Sequence, residues 1–284
     1  MSVIVLASLA GSPGVTTAAV GAALSWHRPA FLVEADTSKS SSILPGLLRG
    51  QVDHSRGLTP LSVDHLRGDL TVQSLWAQAI ELAPERYLIP GFSSLQAARG
   101  TTTLWPALGS ALAGLEGAGI DVIIDVGRIS QNDARIPLLQ QADCVVVVAR
   151  PVLPDIAALA PRVGELVTAM TAAGHADLLH LLLVDSAVEG YTSPEITRVL
   201  GVPIVGRIEW DVRAAAVHSL GATPPPKYDR SAYRRSVHST SLALVQAMEE
   251  RATRLGVRPA PANARSDSRQ EPALSEQIRT EVPL

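Results

Sequence analysis

The sequence predicts a doubly wound α/β domain, a mostly parallel sheet with helices on both faces. Three observations carry that expectation. Strand-length segments such as IDVIIDV (120–126) and CVVVVA (144–149) are apolar without alternation, as strands buried on both faces must be. Segments with helical spacing lie between and after them, the pattern of right-handed crossovers in a parallel sheet. The first strand runs through a Gly-Pro-Gly turn directly into a helix.

Taken in order, residues 2–9 (SVIVLASL) read as a buried strand, 11–14 (GSPG) as the turn and 16–26 (TTAAVGAALSW) as an Ala-rich helix. A second strand, 30–33 (AFLV), ends at Glu34-Ala35-Asp36. Residues 50–100 are less regular, with short apolar runs at 70–75 and 87–89, and read as part of the same domain. Helical patterns follow at 103–116 and 155–173, and strands at 120–126, 144–149, 178–184 (LLHLLLV) and 204–208 (IVGRI). Residues 231–255 form a helix with Tyr233, Val237, Leu244 and Met248 on one face. Beyond it the composition turns to Pro, Ala, Ser and charge, which predicts one domain over 1–255 and a disordered tail over 256–284.

Composition narrows the function. With 284 residues, 46% of them apolar, the chain can bury a substantial core. A net charge of −3 argues against a generally basic nucleic-acid binder. The single Cys144 excludes a disulfide framework and a cysteine-rich zinc site, and fits a reducing, cytoplasmic setting. The first residues lack the basic start of a signal peptide, and no apolar run is long enough to span a membrane. The seven histidines show no metal-ligand spacing, and no Gly-x-Ser-x-Gly is present. Lys227–Arg235 holds four cations and two tyrosines; it offers charge to DNA phosphates or an acidic partner, but such a run is more often the solvated start of a helix.

The chemistry concentrates in the first turn. A Gly-rich turn between a strand and a helix N-terminus points successive backbone N–H groups inward, where the helix dipole favours an anion. Thr16 stands at the helix start, where a hydroxyl can coordinate magnesium. Asp125 and Asp36 follow two strands whose carboxyl ends share the edge where α/β ligands bind.

These residues resemble the ParA/MinD class of P-loop ATPases. The family carries Lys-Gly-Gly-x-Gly-Lys-Thr-Thr where this chain reads Ala10, Gly11, Ser12, Pro13, Gly14, Val15, Thr16, Thr17. Further matches are Glu34-Ala35-Asp36 for an Asp-x-Asp segment, 122–125 (VIID) for the Walker B strand, 142–148 (ADCVVVV) and 201–208 (GVPIVGRI). The resemblance covers about residues 2–250. It implies the P-loop NTPase fold, with Gly11 to Thr17 around nucleotide phosphates, Thr16 and Asp125 on magnesium, and Asp36 placing the attacking water. It also implies ATP and Mg2+ as cofactors, a homodimer closed across the nucleotide, and no MinD-like membrane anchor, since the tail lacks a basic amphipathic helix. Asp185 takes the place of an Asn near the base, where it can accept from an exocyclic amine or cap the next turn.

Both family lysines are absent, replaced by Ala10 and Val15. Phosphoryl transfer relies on positioning and electrostatics, so this loss points to weak or absent nucleotide binding and little hydrolysis. Only two of the 24 basic residues are lysines, Lys39 and Lys227. Lys39 and Arg128, each three residues past a carboxylate of the series, are the candidates to supply the missing charge. The favoured reading is a degenerate member acting as a positioning or assembly factor, as the TadZ/CpaE proteins of pilus systems do, working with a protein partner of a localisation, partition or pilus/secretion machine. A working partitioning ATPase and a nucleotide-independent interaction module are the alternatives.

Overall fold

The computed structural model describes residues 2–256. The predicted tail, Gly256 apart, lies outside the described residues. In chain order the elements are β1 (Val3–Ser8), α1 (Val15–Ser25), β2 (Ala30–Glu34), α2 (Leu58–Arg67), α3 (Val72–Gln78), β3 (Ile80–Ala83), β4 (Arg86–Ile89), α4 (Leu95–Ala98) and α5 (Leu104–Ala113). They continue with β5 (Asp121–Arg128), α6 (Ile136–Gln140), β6 (Cys144–Ala149), α7 (Leu153–Ala172), β7 (Leu179–Val184), α8 (Ser193–Leu200), β8 (Ile204–Ile208), α9 (Val212–Leu220) and α10 (Ala232–Arg254).

The strands form one sheet in the order β3-β4-β2-β5-β1-β6-β7-β8. All neighbours are parallel except β3 and β4. Alternate residues of β1 divide between two cores, as strand periodicity requires. Val3, Val5 and Ala7 pack under α2, α3, α5, α6, α7 and α8; Ile4 and Leu6 pack under α1, α9 and α10. This is the doubly wound sheet covered on both faces that the apolar strands predict.

Residues 50–100 are more ordered than their pattern suggests. They supply α2, α3, the β3–β4 hairpin and α4. The 87–89 run is the core of β4, which pairs with β2, while the 70–75 run divides between a loop and α3, capped by Thr71. Both hairpin strands are only four residues long, too short for a periodicity to declare itself.

The chain leaves β1 for β2 on one side and later enters β6 on the other, so β1 lies at the topological switch point. The turn after β1, the end of β5 and the end of β2 therefore share one crevice at the carboxyl edge.

Candidate phosphate-binding site

The loop after β1 is built around two left-handed backbone positions, Gly11 (φ +65°) and Gly14 (φ +98°). Gly14 caps α1 with no side chain, so the first-turn N–H groups of the helix are left for a ligand. Val15, at the position of the family's second lysine, is buried and belongs to the core under α1. It fixes the helix start from below and carries no charge into the loop.

Gly11, Ser12, Gly14, Val15, Thr16 and Thr17 line a cleft of about 360 Å3. The opposite wall is Asp36, Ser38, Lys39, Ser42 and Ile43 from the segment after β2, with Gly127 and Arg128 from β5 and His218 and Ser219 from α9. The cleft thus brings together the predicted loop, Asp36, and both candidate cations. Pro13, within the same turn, has no N–H to give.

The carboxylates are set by backbone geometry. The β1–β5 register slips at Val126: Leu6 faces Asp125 and Ala7 faces Gly127. Gly127, at φ +59°, lies against Asp36; a Cβ there would stand 2.4 Å from the Asp36 Cγ. The Gly127 N–H donates to Asp125 Oδ1 at 2.8 Å. Asp125 Oδ2 is buried and has no hydrogen-bond partner among the described residues. Burial pushes the Asp125 carboxyl up to about 6, and the hydrogen bond from the Gly127 N–H opposes the rise. Asp36 Oδ1 accepts from the Ser38 N–H (2.8 Å) and hydroxyl (2.7 Å). Lys39 Nζ stands 3.5 Å from Asp36 Oδ2 and 3.5 Å from Thr16 Oγ1.

Two buried charges hold this edge in place. Glu34 accepts from the Ser41 hydroxyl, the Ser42 N–H and hydroxyl, the Ile43 N–H and, across the sheet, the Gly91 N–H. It pins the start of the segment that carries Ser42 and Ile43 into the cleft. Arg135, paired with Asp133 at 2.7 Å, donates to the carbonyls of Ala35, Val126 and Arg128. One guanidinium thereby joins the residue before Asp36 to both flanks of Gly127.

Asp185 is not among the cleft-lining residues. Its carboxylate is held by Arg207, with Oδ1 at 2.8 Å from Nη2. Sequence reasoning missed three features. His218 receives Tyr228 and Tyr233, whose hydroxyls lie 2.9 Å from its two ring nitrogens. Nothing in the spacing of these residues announces the cluster. It also turns both tyrosines of the 227–235 run inward, and Arg234 donates to Ser25, so this run is not a simple solvated face. Arg150, paired with Asp155 at 2.8 Å, comes within 3.7 Å of where a Gly11 Cβ would be, a third cation at the loop. Among the described residues no group of three or more His, Cys, Asp and Glu could hold a metal ion, and no helix is long and apolar enough to cross a membrane.

A Gly-rich strand-to-helix turn at the switch point of a mostly parallel sheet, with carboxylates at two neighbouring strand ends, is the architecture of a P-loop NTPase domain. Among solved structures the chain has the fold of MinD and ParA ATPases. Pyrococcus furiosus cell division ATPase MinD superposes with a TM-score of 0.66 at 16% identity, over 86% of this chain and 98% of that one. A ParA family ATPase from Chlorobium tepidum gives 0.64 at 20% identity, over 85% and 97%. The septum site-determining protein MinD of Pyrococcus horikoshii, complexed with Mg-ADP, gives 0.62 at 18% identity, over 84% and 94%. No family model and no curated protein matches the sequence.

Proposed function

We propose that this protein is a ParA/MinD-like positioning or assembly factor that holds a nucleoside triphosphate weakly and hydrolyses it little. The observation that carries the reading is the contrast within one loop. Gly11 and Gly14 keep left-handed φ and no side chain caps α1, as a phosphate cradle requires, whereas Ala10 and Val15 stand where two lysines are expected. A septum site-determining MinD among the structural neighbours supports a positioning role, and its Mg-ADP supports nucleotide in the cleft. Lys39 and Arg128 in the cleft wall favour this reading over a nucleotide-independent module.

In this reading Gly11 to Thr17 surround the phosphates, and Asp36 orients water. Asp185, with its partner Arg207, is assigned to the base. The resemblance would give magnesium Thr16 directly and Asp125 through water; here the Lys39 ammonium stands 3.5 Å from that Thr16 oxygen and competes for it, and the unpartnered buried Asp125 Oδ2 favours a cation of either kind beside it. When bound, the ion supplies charge neutralisation at the phosphates. The protein acts as a cytoplasmic homodimer recruited by a protein partner of a localisation, partition or pilus/secretion machine. Ala10 cannot reach across a dimer, so nucleotide controls pairing only loosely.

Steady-state ATP hydrolysis tests the reading, with sedimentation of the same samples. Little turnover, with a dimer fraction unmoved by ATP, is expected. Brisk hydrolysis abolished by Asp36→Ala, or a strong ATP-driven dimer shift, would make it a working partition-type ATPase instead.

A further inference from the structure

Lys39 occupies an unusual place for a lysine in such a cleft. Its ammonium stands 3.5 Å from both Thr16 Oγ1 and Asp36 Oδ2. The lone pairs of the Thr16 hydroxyl oxygen are what a magnesium ion would use, and a lysine ammonium, a donor without acceptor capacity, uses the same ones. Magnesium needs oxygens at ~2.1 Å in octahedral array. It and the ammonium cannot share the Thr16 oxygen and the space before it. Behind Thr16, the buried unpartnered Asp125 Oδ2 adds a second oxygen that favours a cation at this spot. No P-loop lysine competes, since position 15 is a core valine, and the chain's other lysine is Lys227.

We propose that the Lys39 ammonium does the work of both the P-loop lysine and the magnesium ion, so that a polyphosphate is bound in its metal-free form. The proposal rests on reading the cleft as a polyphosphate site. One of the ammonium's three protons engages Thr16 and its charge pairs with Asp36, which leaves a proton free to meet a phosphate oxygen. A single positive charge on a flexible stem replaces a divalent ion plus a lysine. This accounts for weak binding, and for poor catalysis, because nothing bridges two phosphate groups rigidly. The cation arrives with the segment after β2, so binding is sensed directly by that segment.

The test is calorimetric titration of ATP, and separately of inorganic pyrophosphate, into the full chain in excess EDTA and in millimolar magnesium. Wild type should bind with affinities that agree within about threefold in the two buffers. Lys39→Ala should lose at least ~10-fold in EDTA, the scale of one charge-assisted hydrogen bond, and regain part of it with magnesium. Lys39→Arg should retain metal-free binding. The Lys39 side chain is 43% exposed, so these variants are expected to fold, and thermal unfolding checks that they do. Wild-type binding that requires magnesium, or a Lys39→Ala affinity unchanged in EDTA, would overturn the proposal while leaving the polyphosphate reading intact. No heat from either ligand in either buffer would overturn both.

Discussion

Asp36 rests on the bare Cα of Gly127: a Cβ at position 127 would lie 2.4 Å from the Asp36 carboxyl carbon. This contact, together with the Ala35 N–H donating to the Asp125 carbonyl at 2.7 Å, sets how closely the ends of β2 and β5 approach at the cleft. Gly127→Ala meets two obstacles, a left-handed φ of +59° and the Asp36 carboxylate. It should cost ~2–4 kcal/mol, more than the ~1 kcal/mol of left-handed strain alone. Gly119→Ala is the control, since φ there is +67° but no atom lies within 4 Å of the new Cβ. Denaturant unfolding of the pair should separate them; equal losses would show that Asp36 yields freely.

Arg135 is the second constraint on that edge. Its guanidinium holds three backbone carbonyls and Asp133 in a nearly fully buried setting. Arg135→Met should destabilise by ~3 kcal/mol or more, because Asp133 and the carbonyls lose their partner. Arg135→Lys should recover little, since an ammonium cannot reproduce the fork. Unfolding midpoints decide it, and a lysine variant as stable as wild type would reject the carbonyl-clamp account.

Glu34 anchors the segment beyond Asp36 through five accepted hydrogen bonds. Glu34→Gln exchanges one acceptor oxygen for a donor facing donors. A loss of ~1–3 kcal/mol is expected, together with faster limited proteolysis between residues 37 and 50. Unchanged cleavage there would mean that the segment is held by its apolar contacts alone.

His218 gives the fold a defined acid sensitivity. Burial, reinforced by the nearby Arg234 charge, pushes its pKa down to about 4 from 6.5. Between those values the unfolded chain binds the proton and the folded one does not. Stability from this group is therefore complete above pH 6.5 and declines as pH falls toward 4, by about 3 kcal/mol in full. His27 and His180 shift in the same direction, so the comparison must be with His218→Gln, whose stability should fall less between pH 7 and 5. Parallel profiles for the two proteins would contradict the assignment.

The central strands and the Gly-rich turn were legible because each leaves a local mark: Val and Ile runs for β1, β5 and β6, paired glycines for the loop. Lys39 was legible for a different reason, namely that lysine is scarce and this one follows Asp36 by three residues. The β3–β4 hairpin escaped because four-residue edge strands carry almost no period. His218 and Arg135 escaped because their roles depend on partners that the fold alone brings together. Tyr228 and Tyr233 come from the start of α10 and the turn before it, and Ala35 from a strand end a hundred residues away. Asp185 illustrates the converse, a position read by resemblance whose partner, Arg207, the sequence did not reveal.

The most direct test of the account is calorimetric titration of ATP into wild type and Thr16→Ala. A weak, saturable heat that Thr16→Ala abolishes is the predicted result. The absence of any binding at millimolar ATP would contradict it, leaving the fold a protein-interaction scaffold without a nucleotide.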